Sequence, residues 1–169
     1  MNETLAFLSP DLATPDVAAT GAAWRSPLAR ALEHAPAGIV DISLTGKLEV
    51  RGDIDSLVAG GGELVRISPS RALLLCDFTK VGQLRAKLEE DFLVVDVSAG
   101  YAGLQVRGET LLRRLTDLDL DDLPAVGSVG HVRTVVLRDD SETFRLFFPQ
   151  EYGHYVAEVA VDAAMGLAQ

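Results

Sequence analysis

The residues of this chain most able to do chemistry are three histidines, one cysteine, a run of alternating aspartates and a triplet of glycines. A metal centre needs His, Cys or carboxylates at ligand spacing, and His34, His131 and His154 lie far from one another and from Cys76. They read as surface or capping histidines. Cys76 closes the apolar run Ala72-Leu73-Leu74-Leu75 and has no second cysteine to pair with. It reads as a small core hydrophobe, as expected in a reducing cytoplasm. The stretch Thr116-Asp117-Leu118-Asp119-Leu120-Asp121-Asp122-Leu123 has the acid density of a cation loop. Its aspartates alternate with leucines, and it lacks the glycine and terminal glutamate of a calcium loop, so it reads as a half-buried connector. Gly60-Gly61-Gly62 lacks the Gly-x-Gly-x-x-Gly spacing and precedes a strand, which makes it a turn and not a phosphate cradle. No catalytic, cofactor-binding or metal-ligating residue is assigned from these groups.

A second set of polar residues occurs twice. Val40-Asp41-Ile42-Ser43, followed by Leu48-Glu49-Val50-Arg51-Gly52-Asp53, is answered by Val95-Asp96-Val97-Ser98, followed by Leu104-Gln105-Val106-Arg107-Gly108-Glu109. The aspartates are 55 residues apart and the arginines 56, so the copies differ by one residue in the connecting turn. Agreement in both order and type predicts a duplicated supersecondary unit. Asp and Ser beside a strand end suit turns in which the side chain bonds its own backbone. Partner contact is the alternative for Asp41, Ser43, Asp96 and Ser98; Arg51 and Arg107 read as structural.

These residues need elements to hold them. Each copy reads as an extended segment, a turn, an alternating strand, a glycine that ends it, and an acid suited to the first turn of a helix. The first such helix is short and ends at Gly60-Gly61-Gly62; the second places Leu111, Leu112 and Leu115 on one face. Two further strands follow in each half, around 63–67 and 71–76, then around 129–137 and 143–148. Ser68-Pro69-Ser70 and Asp139-Asp140-Ser141 supply the turn residues between them. An amphipathic helix closes each half, with Phe78, Val81, Leu84 and Leu88 after an Asp77 cap in the first, and Tyr152, Tyr155, Val156 and Val159 in the second. The predicted class is therefore α+β: two duplicated β-β-α-β-β-α units, antiparallel sheet packed with helices about a pseudo-two-fold axis. Residues 25–91 form the first repeat with a leading helix and 92–169 the second. Neither repeat buries a comfortable core alone, so the two are expected to form one compact body.

Residues 1–24 are rich in Ala, Thr, Pro and Asp without a sustained period, and read as a partly disordered N-terminal arm. Ser26 as N-cap and Pro27 at the first helical position predict a short helix through Leu28, Ala31 and Leu32 that stops before Pro36. Trp24, the sole tryptophan, packs either on the body or on a partner; with Arg25 and Leu28 it forms the candidate partner contact, because Trp and Arg are enriched in binding hot spots. A net charge of -10 with scattered Lys and Arg argues against a nucleic-acid surface. No apolar run reaches bilayer length and the N-terminus has no secretion pattern, so a cytoplasmic protein without membrane contact is expected.

Several of these segments together resemble a known family. Arg25-Ser26-Pro27-Leu28-Ala29, the paired Val-Asp-(Ile/Val)-Ser and Val-Arg-Gly segments, Ser68-Pro69-Ser70-Arg71-Ala72-Leu73-Leu74-Leu75, and Phe144-Arg145-Leu146-Phe147-Phe148 leading into Tyr152-Gly153-His154-Tyr155 resemble the gamma subunit of heterotetrameric sarcosine oxidase. The second half, Val94 to Ala164, is also similar to the first domain of the folate-binding aminomethyltransferases typified by the glycine-cleavage T protein. In that superfamily a strand-turn-strand carries an acid near the folate amine, whereas the matching stretch Gly130–Val136 has none. The gamma resemblance implies a non-catalytic subunit that binds no cofactor itself. FAD, FMN, NAD and tetrahydrofolate are expected on larger sarcosine oxidase-type partner subunits, which would demethylate an N-methyl amino acid oxidatively and pass the one-carbon unit to tetrahydrofolate. The alternatives are a stand-alone protein binding a folate-like or other small molecule in the seam between its halves and, least favoured by the missing acid, a one-carbon transferase.

Overall fold

The computed structural model describes residues 26–167; the predicted arm, with Trp24 and Arg25, lies outside them. The elements in chain order are β1 (Ile39–Asp41), β2 (Gly46–Arg51), β3 (Glu63–Ser68), β4 (Arg71–Cys76), α1 (Val81–Leu88), β5 (Leu93–Asp96), β6 (Tyr101–Arg107), α2 (Glu109–Leu115), β7 (Ala125–Val129), β8 (Val132–Arg138), β9 (Thr143–Pro149) and α3 (Gly153–Leu167). All the named strand pairs are antiparallel, in two sheets ordered β1-β6-β9-β8-β7 and β3-β4-β2-β5. The class is α+β.

Period-2 alternation divides each central strand between two apolar layers. In β4, Ala72 and Leu74 join Leu48, Val50, Val81, Leu84 and Leu88 under α1, while Leu73 and Leu75 turn the other way. In β9, Leu146 and Phe148 pack with Leu112, Val156 and Ala160 of α2 and α3, while Phe147 faces inward. Leu73, Leu75 and Val65 meet Val135, Leu137 and Phe147 between the sheets. The layers are thus helix, sheet, sheet, helices. Arg145, on the face of β9 that carries Phe147, ties the sheets at their edge by reaching Glu63 at 2.7 Å.

The chain's two halves do not keep their strands to themselves. β1 precedes the strands of the four-stranded sheet in sequence but hydrogen-bonds β6, and β5 leaves the second half to hydrogen-bond β2. The registers of these two exchanged strands agree: Asp41 stands opposite Leu104, and Asp96 opposite Leu48. The central pairs agree as well, with Leu48 opposite Leu74 and Leu104 opposite Leu146. Both sheets therefore contain strands from either side of residue 91.

Four local expectations are corrected. Ser26 does cap, its hydroxyl accepting from the Leu28 N–H at 3.1 Å. Residues 27–34 nevertheless form successive turns with one i to i+4 bond, Leu32 to Leu28, because so short a segment before Pro36 does not recover the cost of helix nucleation. The helix expected after Arg51-Gly52-Asp53 contracts to a 3-10 turn, Ile54–Ser56, with Asp53 accepting from the Asp55 N–H. Phe78 falls in the 3-10 turn before α1 and is 51% exposed, and Tyr152 and Tyr155 are 47% and 43% exposed. In α3 the buried stripe is Val156, Ala157 and Ala160, small side chains that let the helix lie close to the sheet. The strand expected over 129–137 is broken at Gly130 and His131, whose φ values of 53° and 66° turn the chain and create the additional strand β7.

Candidate functional site

The duplicated polar residues build two matched corners. The Ser43 N–H donates to Asp41 Oδ1 at 2.9 Å, and the Ser98 N–H donates to Asp96 Oδ1 at 2.9 Å. The Ser43 hydroxyl then accepts the Gly103 N–H at 3.0 Å, and the Ser98 hydroxyl accepts the Lys47 N–H at 2.9 Å. The aspartates thus bond their own turns, as expected, whereas each serine hydroxyl seals an amide of a strand in the other half.

Gly103 and Lys47 occupy the same place in the two corners but differ as much as residues can. A Cβ at Gly103 would lie 2.9 Å from the Ile42 carbonyl oxygen and 2.9 Å from the Phe147 ring, so only glycine fits. Lys47 is fully buried. Its Nζ donates to the carbonyls of Ser43 at 2.9 Å and Thr45 at 2.6 Å, and stands 5.8 Å from the Phe147 ring centroid. Burial pushes its pKa down to about 8 against the opposing pull of Asp96 and Asp41. An amine so tuned is a nucleophile in principle, but no surface leads a substrate to it. Its chemistry here is to brace the turn between β1 and β2.

Two residues along the same face, Glu49 lies buried between Arg51, at 2.6 Å from its Nε, and Arg71. Burial alone would raise the Glu49 carboxyl; the hydrogen bonds and charges of Arg71 and Arg51 outweigh it and hold the group below the usual carboxylate range. Arg107, the sequence counterpart of Arg51, carries no such pair among the described residues.

A third polar region was not assigned from sequence. A cleft of about 500 Å³ lies where the end of α2, the residues 116–118, the β7–β8 turn and α3 converge. The Thr116 hydroxyl donates to the Ser128 carbonyl at 2.6 Å, and the Gly130 N–H donates to the Leu115 carbonyl at 2.8 Å, so the turn is pinned to α2. Arg113, Arg114, Asp117, His131 and Tyr155 line it. A smaller hollow of about 360 Å³ adjoins it, sharing Ser128 and His131 and adding Arg133. The signal that could have found the turn is Gly130-His131 between two valine-rich runs, a two-residue hairpin pattern.

The remaining sequence candidates are dispersed. His154 pairs with Glu158 of its own helix at 3.0 Å. Cys76 is half-buried beside the α1 core, where burial pushes its thiol up. In the aspartate run Asp119 caps a 3-10 turn and Leu120 is buried, as a half-buried connector requires. Among the described residues no group of His, Cys, Asp and Glu is placed to hold a metal, and no helix is long and apolar enough to cross a membrane. Leu28 is a core residue with no exposed surface, seated with Pro27 against Gly153, where a Cβ would lie 2.8 Å from the Pro27 Cβ.

No protein-family model and no curated protein matches the chain. Solved structures do. A chain of the heterotetrameric sarcosine oxidase from Corynebacterium sp. U-96, in complex with pyrrole 2-carboxylate, superposes with a TM-score of 0.71 at 17% identity, covering 86% of this chain and 97% of that one. The glycine cleavage system aminomethyltransferase T from Bartonella henselae superposes with a TM-score of 0.54 at 18% identity, covering 81% of this chain and 51% of that one. At these identities the shared property is the fold.

Proposed function

We propose that this chain is a non-catalytic, gamma-type subunit of a cytoplasmic sarcosine oxidase-type complex, in which larger partner subunits hold FAD, FMN, NAD and tetrahydrofolate and carry out oxidative demethylation of an N-methyl amino acid. The observation that carries this reading is the near-complete, reciprocal match to one chain of a heterotetramer. The aminomethyltransferase, by contrast, is matched over about half its length. An internal duplication is part of the proposal: the matched corners of Asp41-Ser43 and Asp96-Ser98 and the equal registers of β1 and β5 support it. Leu28 would anchor the segment that follows Trp24 and Arg25, leaving those two residues for the partner contact.

Co-expression with the larger subunits encoded by the same host tests the reading. The expected result is co-elution in fixed stoichiometry, with sarcosine oxidation by the complex and none by this chain, which is colourless alone. Trp24→Ala should weaken co-elution and leave the thermal midpoint nearly unchanged. A stoichiometric flavin on the chain made alone, or failure to associate with the larger subunits, would refute the assignment.

A further inference from the structure

The cleft between α2, α3 and the β7–β8 turn has a composition that the accessory-subunit reading does not use. The chain carries 25 acidic against 15 basic residues, yet the linings of the cleft and its adjoining hollow contain Arg113, Arg114, Arg133 and His131 against the single acid Asp117. Arg113 is occupied by Glu109 of its own helix at 2.7 Å. Arg114 and Arg133 have no carboxylate partner among the described residues. Arg114 lines the cleft, its Nη1 reaching along α3 to within 3.5 Å of where a Gly166 Cβ would sit, and Arg133 lines the adjoining hollow; a guanidinium supplies the planar donor pair that a carboxylate accepts.

The turn adds a second, independent observation. His131 holds φ at 66°, a conformation that favours glycine and costs most side chains about 1 kcal/mol or more. Glycine at this position would relieve the strain. The imidazole stands instead where the two hollows meet, lining both. The two-residue turn itself requires positive φ at both positions, and His is among the side chains that adopt it; what the turn adds is the placement of the imidazole. The lining also carries the apolar Leu115, Leu118 and Val159, the polar Thr116 and Ser128, and Tyr155 with its ring against the turn. The volume falls in the range of small-ligand sites.

We propose that this cleft binds a small organic monocarboxylate with an apolar or aromatic body. Arg114 holds the carboxylate, His131 reinforces it from the turn and Arg133 from β8 at the adjoining hollow, and Leu115, Leu118 and Val159 receive the body. Asp117 keeps the favoured charge at one, because a second carboxylate would meet it. The site belongs to this chain alone and stands whether or not the accessory-subunit reading does.

Benzoate and its uncharged isostere benzamide are the probes, titrated into the purified full chain and followed by backbone amide NMR and calorimetry. Benzoate should perturb the Ser128, Gly130 and His131 amides saturably at millimolar concentration, and benzamide should bind at least about tenfold more weakly. Arg114→Gln should weaken benzoate by a similar factor while retaining the wild-type amide spectrum elsewhere. Should Arg114→Gln not fold, Arg133→Gln is read in its place, with a smaller loss expected. Equal responses to benzoate and benzamide, shifts confined to another surface, no saturable response, or binding unchanged in the folded arginine variant would each overturn the proposal.

Discussion

Lys47 is a cation sealed between two sheets, and its cost is legible in pH. Its pKa is depressed from 10.5 to about 8 by burial, so between those values the unfolded chain binds a proton that the folded chain has released. Stability then rises as pH climbs through this window and is lowest, on this account, below pH 8. At about 1.4 kcal/mol per unit the full effect is about 3 kcal/mol. Urea titrations of wild type and Lys47→Met at pH 7 and pH 10 should therefore show the difference moving in favour of wild type by about 1–3 kcal/mol as pH rises. Parallel profiles would mean that the ammonium is better solvated than its burial implies. At the same scale, Ser43→Ala and Ser98→Ala each strand a buried amide, on Gly103 and on Lys47 respectively. Each should cost about 1–3 kcal/mol in the same assay, and by similar amounts, because the two corners are alike.

At the scale of elements, the two-residue turn between β7 and β8 trades stability for the placement of an imidazole. His131→Gly should raise the unfolding free energy by about 0.5–1 kcal/mol, read from the urea midpoint, by removing the left-handed strain. A fall instead would show that the imidazole's contacts outweigh the backbone. Gly103→Ala should act in the opposite direction, by about 1–3 kcal/mol, since its Cβ has no room between Ile42 and Phe147. How legible the elements were follows the same physics. Alternation in Leu48-Glu49-Val50 and Leu104-Gln105-Val106 announced the central strands, and the Asp-x-Ser corners announced their own hydrogen bonds. The break at Gly130 did not stand out because Val129 and Val132 flank it with unbroken apolar character, so one long strand and a tight hairpin share a pattern. The cleft was hidden for a related reason. Its arginines come from α2 and β8, and only the docking of the β7–β8 turn on the end of α2 makes the two hollows adjoin.

For the molecule as a whole, the exchanged strands make the two halves mutually dependent. A fragment of residues 1–91 would lack β5 beside β2, and a fragment of residues 92–169 would lack β1 beside β6. Each alone should show a disordered circular-dichroism spectrum, and mixing them should restore the spectrum of the intact chain, because every backbone partner is then present. Independent folding of either fragment would indicate that a sheet tolerates the loss of its outer strand. The crossing of these strands between sheets was not legible: residues 39–41 and 93–96 are short and partly exposed, and nothing in their pattern says which sheet they join.

The exchange also sets an order of events during synthesis on the ribosome. β1 emerges early, yet the strand it pairs with, Tyr101–Arg107, is translated only after all four strands of the other sheet and α1. β2 likewise waits for Leu93–Asp96 before its second edge is filled. Until then the nascent chain carries an orphan segment and an open edge of the sort that recruits wrong partners. The buried charges of Lys47 and Glu49 on β2 make that waiting edge poorly suited to apolar self-association, so the same residues that brace the finished seam guard the unfinished one.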